Sequence, residues 1–258
     1  PWKRRGVQMT DTDMNNLSLY LEKNYGLTSD RVITKAVDIV ANNNSFHPII
    51  DFLEGLTWDG TPRISHMLTH FFGAEDQKYT GEIMKMHMMA AISRLYEPGT
   101  KYDIMLCLVG GQGTGKSTFF KYLAIKDEWF TDDMKRLDDK KVYEYLQGHW
   151  IVEMSEMNAV ANAKSIEETK SFLSRQKDTY RIPYERRAED RYRQCVFCGT
   201  SNDLAFLPFD RTGNRRFGPV KVCPEKAEVT VYKNEKESRG YIIQAWAEAM
   251  VIYKTEKI

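Results

Sequence analysis

Excess charge of either sign is the first thing this sequence lacks. Its 37 lysines and arginines face 36 aspartates and glutamates, leaving a formal net charge of +1. The chain therefore carries no global field for a polyanion, and any nucleic-acid contact has to come from a local cluster. Long apolar runs are missing as well. No signal-peptide pattern and no stretch of membrane-spanning length appear, which argues against a membrane partner and for a cytoplasmic protein. Cysteine is scarce, with Cys107, Cys195, Cys198 and Cys223 as the whole complement. So few in a chain of this length do not make a disulfide scaffold. Cys195-x-x-Cys198 has no second pair and no nearby histidine to complete a zinc site, and reads as buried strand. His66 and His70 stand at helical i, i+4 spacing without an accompanying acid, and read as a helix surface. No internal repeat or low-complexity tract is present, which leaves a globular chain of one large or two small domains.

What is there begins at residue 104. An apolar run, Ile104 to Val109, breaks into Gly110-Gly111-Gln112-Gly113-Thr114-Gly115-Lys116-Ser117-Thr118, and the pattern G-x-x-x-x-G-K-[ST] is met in full. A triphosphate cannot be surrounded by side chains alone. Backbone N–H groups can do it where the chain curls inward, and that curl needs glycine dihedrals. The helix expected from residue 116 adds free N–H donors and a positive dipole end. Lys116 would reach the β- and γ-phosphates, and Ser117 would ligate magnesium. ATP with Mg2+ is the expected ligand pair.

The grammar of the chain changes near residue 100. Residues 11–100 read as helices. Asp11 or Asp13 caps a helix running to Tyr25, and Ser29 caps a second. Pro48 opens a short third, a turn lies at Trp58-Asp59-Gly60, and further helices cover 62–72 and 79–96. From 101 onward strands alternate with helices. The strand candidates are 104–109, 150–154, 194–199 and 216–222, and the helix candidates 116–124, 139–147, 165–174 and 239–254. Such alternation predicts an α/β fold with a mainly parallel sheet. The expected organisation is an all-helical region over 1–100 and a phosphate-loop core over 101–258. The chain opens at Pro1-Trp2 and stops inside a helical pattern, as an excised part of something longer would.

Three later blocks supply chemistry for the loop. Trp150 to Glu156 is an apolar strand ending in a carboxylate. Glu156 is expected to orient the attacking water, and Glu153, three residues earlier, should face the other side of the strand. The buried run Cys195 to Asn202 delivers Asn202 at a strand's carboxyl end, where ligands bind in open α/β sheets. Asp210 to Phe217 carries three arginines, of which Arg215 or Arg216 suits transition-state charge on a γ-phosphate. Between the second strand and Asn202 lies Tyr180 to Arg193, with five arginines against three acids and three interleaved tyrosines. Arginine neutralises phosphate and aromatic rings stack on bases. Arg181, Tyr184, Arg186, Arg187 and Arg191 are therefore the nucleic-acid candidates, on a hairpin projecting from the sheet.

Taken in order, these blocks resemble the virulence-associated protein E family of phages and mobile elements. The resemblance rests on Trp58-Asp59-Gly60-Thr61-Pro62-Arg63-Ile64, Glu97 to Asp103, Gly110 to Thr118, Trp150 to Glu156, Arg181-Ile182-Pro183-Tyr184, Gly199 to Asn202 and Gly213 to Phe217. The family is similar to superfamily 3 helicases and phage primase-helicases within the AAA+ ring ATPases. The resemblance implies Walker A at Gly110 to Thr118, the Walker B catalytic acid at Glu156 and sensor 1 at Asn202. It also implies a trans-acting arginine finger at Arg215 or Arg216 and a hairpin over 180–193 gripping single-stranded DNA. Walker B in such proteins ends in Asp-Glu, whereas Ser155 precedes Glu156 here. Magnesium would then rest on Ser117, the phosphates and water, or Glu153 would contribute.

The expected function is an ATP-hydrolysing, superfamily 3-like replicative DNA helicase. It would form a homo-oligomeric ring, expected to be a hexamer, in the cytoplasm of a bacterial host, beside a primase domain or partner. An ATP-dependent DNA-binding or replisome-assembly switch is the alternative from another class. A small-molecule kinase is disfavoured by Asn202 and the paired arginines, and by the lack of any acceptor site in the sequence.

Overall fold

The computed structural model describes residues 9–75, 77–134, 142–155, 163–181, 188–203 and 214–256. The chain divides into two compact units, Pro1–Asp51 and Phe52–Ile258. In the first, α1 (Asp11–Tyr25) and α2 (Asp30–Asn43) form a helical pair. The cap of α1 is Thr10 rather than either aspartate: Thr10 Oγ1 accepts from Asp13 N, and the Asp13 carboxylate accepts from Thr10 N at 3.0 Å. This reciprocal box satisfies two otherwise orphaned donors. Gly26, left-handed at φ 68°, ends the helix, as glycine does where a Cβ would be penalised. Ser29 precedes α2 without a side-chain capping bond. The short helix α3 (Pro48–Glu54) spans the division between the units.

The second unit opens with the Trp58 to Ile64 block, which locks itself into a turn. Asp59 accepts from the Arg63 guanidinium at 2.7 Å and from Thr61 N at 2.9 Å, and Trp58 Nε1 donates to Thr61 O at 3.0 Å. A single-turn 3-10 helix (Ile64–His66), α4 (Met67–Phe72) and α5 (Gln77–Tyr96) follow. Next come β1 (Met105–Val109), α6 (Lys116–Leu123), β2 (Phe130–Thr131), α7 (Val142–Leu146), β3 (Ile151–Met154) and α8 (Ala163–Leu173). The chain then runs through β4 (Lys177–Tyr180), β5 (Glu189–Tyr192), β6 (Val196–Ser201), β7 (Phe217–Lys221) and α9 (Glu235–Glu256).

Five strands form one sheet in the order β2-β3-β6-β1-β7, and every neighbouring pair is parallel. Strands of a parallel sheet are covered on both faces and read as unbroken apolar runs; all five residues of β1 are buried. One face carries α5, α6 and α9, knitted by indoles. Trp150 Nε1 donates to Ala91 O at 3.0 Å, Trp246 Nε1 donates to Leu123 O at 2.9 Å, and the two rings lie 4.3 Å apart. On the other face Met105, Cys107, Val152 and Phe197 share a core with residues of α7 and α8, including Val142, Leu146 and Phe172.

The change of grammar near residue 100 therefore falls inside a single compact unit, because α5 packs on β1 and β6. Buried Arg94 fastens the end of α5, donating to Cys195 O at 2.6 Å, Tyr102 O at 2.7 Å and Thr100 O at 3.0 Å. Those carbonyls are what allow a guanidinium to remain inside.

Candidate functional site

Strand order fixes where a ligand can sit. The connection leaving β1 crosses β6 and β3 to reach β2, whereas the one leaving β6 passes over β1 to reach β7. The strands that follow β1 and β6 in the chain thus lie on opposite sides of this pair, and the carboxyl end of such a pair is the usual ligand position in open α/β sheets. A cleft of about 330 Å³ lies there, lined by the loop from Gln112 through Thr118, by Ser155 after β3, and by Thr200 to Asn202 at the end of β6.

Two constraints converge on Gly115. It is left-handed at φ 84°, and a Cβ on it would lie 2.5 Å from Val231 Cγ1. The same backbone starts α6, whose first-turn N–H groups have no partner within the helix and border the cleft. Lys116 curls back over the loop, with Nζ 2.7 Å from both Gly110 O and Gly111 O. Burial pulls its pKa below the ordinary lysine value, and nearby Glu153 opposes that shift.

Glu153 does not face away from the loop. One carboxylate oxygen accepts from Ser117 Oγ at 2.7 Å and from Thr200 Oγ1 at 2.8 Å, and the side chain is fully buried. The expectation of an outward Glu153 carried strand alternation through to Glu156, but β3 ends at Met154. Burial pushes the Glu153 pKa up, against the pull of the two hydroxyls. Its second oxygen, also buried, has no hydrogen-bond partner among the described residues. An orphaned carboxylate oxygen beside a serine hydroxyl is a hard-oxygen donor set of the kind magnesium takes. The residues present fit a magnesium ion, which Ser117 and Glu153 would hold through their hydroxyl and carboxylate oxygens.

The other sequence candidates separate. Glu156, Tyr184, Arg186 and Arg187 lie outside the described residues. Asn202 is exposed on the cleft wall, one position beyond β6. The two arginines differ. Arg216 turns inward, its Nε 2.8 Å from Ser174 Oγ and 3.3 Å from the Asp103 carboxylate, while Arg215 is exposed. Strands β4 and β5 pair antiparallel as a two-stranded ribbon separate from the main sheet. Arg181, just past β4, is exposed, whereas the Arg191 guanidinium lies over the Tyr180 ring at 5.4 Å. Arg193, counted in the sequence with the exposed arginines of this segment, is buried against Asp178 at 2.6 Å and stacks on Phe172.

Sequence reading missed two features. Thr200 and Ser155 border the cleft with no signal of their own beyond following a strand. The pair His66 and His70 has its acid after all, in Glu228, which accepts from both rings at 2.7 and 2.6 Å. Spacing along the chain could not reveal a partner 158 residues away.

Among solved structures, the chain is similar to the A form apo structure of the NrS-1 C-terminal region, at 18% identity and a TM-score of 0.56, covering 77% of this chain and 47% of that one. A second apo structure of the NrS-1 C-terminal region (305-718) matches at 20% identity and a TM-score of 0.51, over 77% and 47% of the two chains. At these identities the likeness is one of fold, and the chain spans about half the length of the structures it matches. No curated protein matches it. A family model matches residues 53–258, and the chain belongs to the virulence-associated protein E-like domain family.

Proposed function

We propose that this chain is an ATP-hydrolysing motor domain of the AAA+ type, acting as a superfamily 3-like replicative DNA helicase of a phage or mobile element. The observation that carries the reading is the meeting of Lys116, Ser117 and Glu153 under a glycine loop, at the carboxyl ends of β1, β6 and β3. The loop and the first turn of α6 would cradle the β- and γ-phosphates, and Lys116 would exchange its carbonyl contacts for phosphate oxygens. Magnesium, bound at Ser117 and Glu153, would neutralise charge on the phosphates. Glu156 would orient the attacking water and Asn202 would hydrogen-bond the γ-phosphate.

The sheet order, with the loop strand flanked by β6 and β7 and the acidic strand one further out, supports this reading. So does the fold likeness to NrS-1. Exposed Arg215 is the better finger, because Arg216 is occupied within its own subunit. A homo-oligomeric ring on single-stranded DNA in the host cytoplasm follows as part of the proposal, with the ribbon of β4 and β5 as the DNA-contacting element. Among the described residues no helix is long and apolar enough to cross a membrane.

The test is the ATP hydrolysis rate with and without single-stranded DNA. Turnover should rise with DNA and fall roughly a hundredfold or more in Lys116→Ala, the scale expected for losing charge stabilisation at the transferring phosphate. Equal turnover in parent and variant would remove the site. Hydrolysis indifferent to DNA would remove the motor, and a failure of strand displacement despite DNA stimulation would leave an ATP-dependent switch.

A further inference from the structure

His66, His70 and Glu228 gather on the surface of the second unit, on the helical face. One ring nitrogen of His66, one of His70 and one carboxylate oxygen of Glu228 all lie within 4.8 Å of one another. Each imidazole uses a different carboxylate oxygen, at 2.7 and 2.6 Å. Three elements supply the cluster and each is held in place. His66 closes the 3-10 turn and His70 sits one turn on in α4, so both rings emerge on one side. Glu228 lies in the connector between β7 and α9, and its N–H donates to His70 O at 3.0 Å. The His70 ring is stacked on Tyr241 at 4.5 Å and 5°. Gln77 Nε2 lies 3.2 Å from His66 Nδ1, so the nitrogen that does not face Glu228 has an orienting amide, the usual outer support of a metal-bound imidazole.

From this geometry we infer that His66, His70 and Glu228 form a binding site for a divalent transition metal of the zinc class. Two imidazoles and a carboxylate are the donor set such ions prefer over magnesium or calcium. A tetrahedral ion at ~2.0 Å from its donors spaces them ~3.3 Å apart. The two histidine–carboxylate pairs are already closer than that, and no separation in the trio exceeds 4.8 Å, so the ion enters by small side-chain movements. Both imidazoles bind as neutral rings, each presenting a lone pair in place of the N–H now facing Glu228. The displaced hydrogen moves to the other ring nitrogen, which at His66 turns the Gln77 amide to offer its oxygen. The fourth position goes to water, since the cluster is partly exposed.

The cluster is separate from the cleft at Lys116 and Ser117, and its role is that of a clamp. The connector that carries Glu228 also carries Val231 and Tyr232, which abut Gly115. An ion joining Glu228 to α4 would fix that connector to the helical layer.

The experiment is titration of the metal-free chain with Zn2+ by calorimetry, with Co2+ absorption as a second readout. One ion per chain is expected, with visible cobalt bands of a nitrogen–oxygen site and no thiolate charge-transfer band. Zinc should also raise the thermal unfolding midpoint by several degrees. His70→Ala and the near-isosteric Glu228→Gln should each weaken zinc binding tenfold or more, while Ser117→Ala should leave it unchanged. Unfolding midpoints without metal check that the variants fold. Absence of stoichiometric uptake would overturn the site, as would uptake unchanged in His70→Ala and Glu228→Gln or a thiolate band in the cobalt spectrum.

Discussion

Glu153 holds one oxygen between two hydroxyls, and the other, buried, meets no partner among the described residues. An uncompensated buried carboxylate is costly unless something meets it. Replacing it by glutamine keeps the shape and the hydroxyl contacts but removes the charge. Glu153→Gln is therefore expected to bind ATP in chelator about as well as the parent, to lose most of the strengthening that Mg2+ brings, and to hydrolyse at least a hundredfold more slowly. Glu156→Gln should keep the magnesium effect and lose turnover. Nucleotide titrations with and without Mg2+ separate the two, and an intact magnesium effect in Glu153→Gln would show that the metal rests elsewhere. The contrast also marks where sequence reasoning stopped at this scale. The loop was legible because its glycines and Lys116-Ser117 are contiguous. The orientation of Glu153 was not, because alternation is a rule for strands and β3 ends before Glu156.

A strand ribbon as short as β4 with β5 does not stand by itself; two-stranded hairpins in water are marginal at best. Its base is bolted instead. Arg193 donates to both Asp178 oxygens, at 2.6 and 2.9 Å, and to Phe172 O, and its guanidinium stacks on Phe172 and Phe197. Removing one partner of such a buried pair strands the other charge. Asp178→Ala should cost about 3–5 kcal/mol in urea unfolding, and adding Arg193→Met should recover a good part of it. If the single variant is no less stable than the parent, the pair is not what anchors the ribbon. The sequence located this element through Pro183 and the charge pattern, and most helices and strands through apolar period and glycine stops. Composition gave no means of telling Arg193, turned inward, from the arginines around it. That distinction depends on α8 and β6, which meet the ribbon only in the folded chain.

At the scale of the whole molecule, the proposed ring makes each ATP site a joint property of two copies. A heterologous interface that closes on itself gives every subunit one finger and one pocket. Arg215→Ala and Lys116→Ala, each inactive alone, should regain partial hydrolysis when mixed, at interfaces pairing an intact arginine with an intact loop. Arg216→Ala should chiefly lower stability, since its partners Ser174 and Asp103 lie in its own chain. No recovery at any ratio, with mixed assembly confirmed by mass, would place Arg215 outside the neighbouring site.

The connector after β7 adds a constraint that no phosphate-binding motif contains. Val231 is fully buried, and its methyl stands where a Cβ at position 115 would have to go. The floor of the cradle is thus an aliphatic side chain from far downstream, acting as a shim beneath the loop. A smaller residue at 231 would let the loop settle and a larger one would lift it. The depth of the cradle is then adjustable from a position that does not line the cleft.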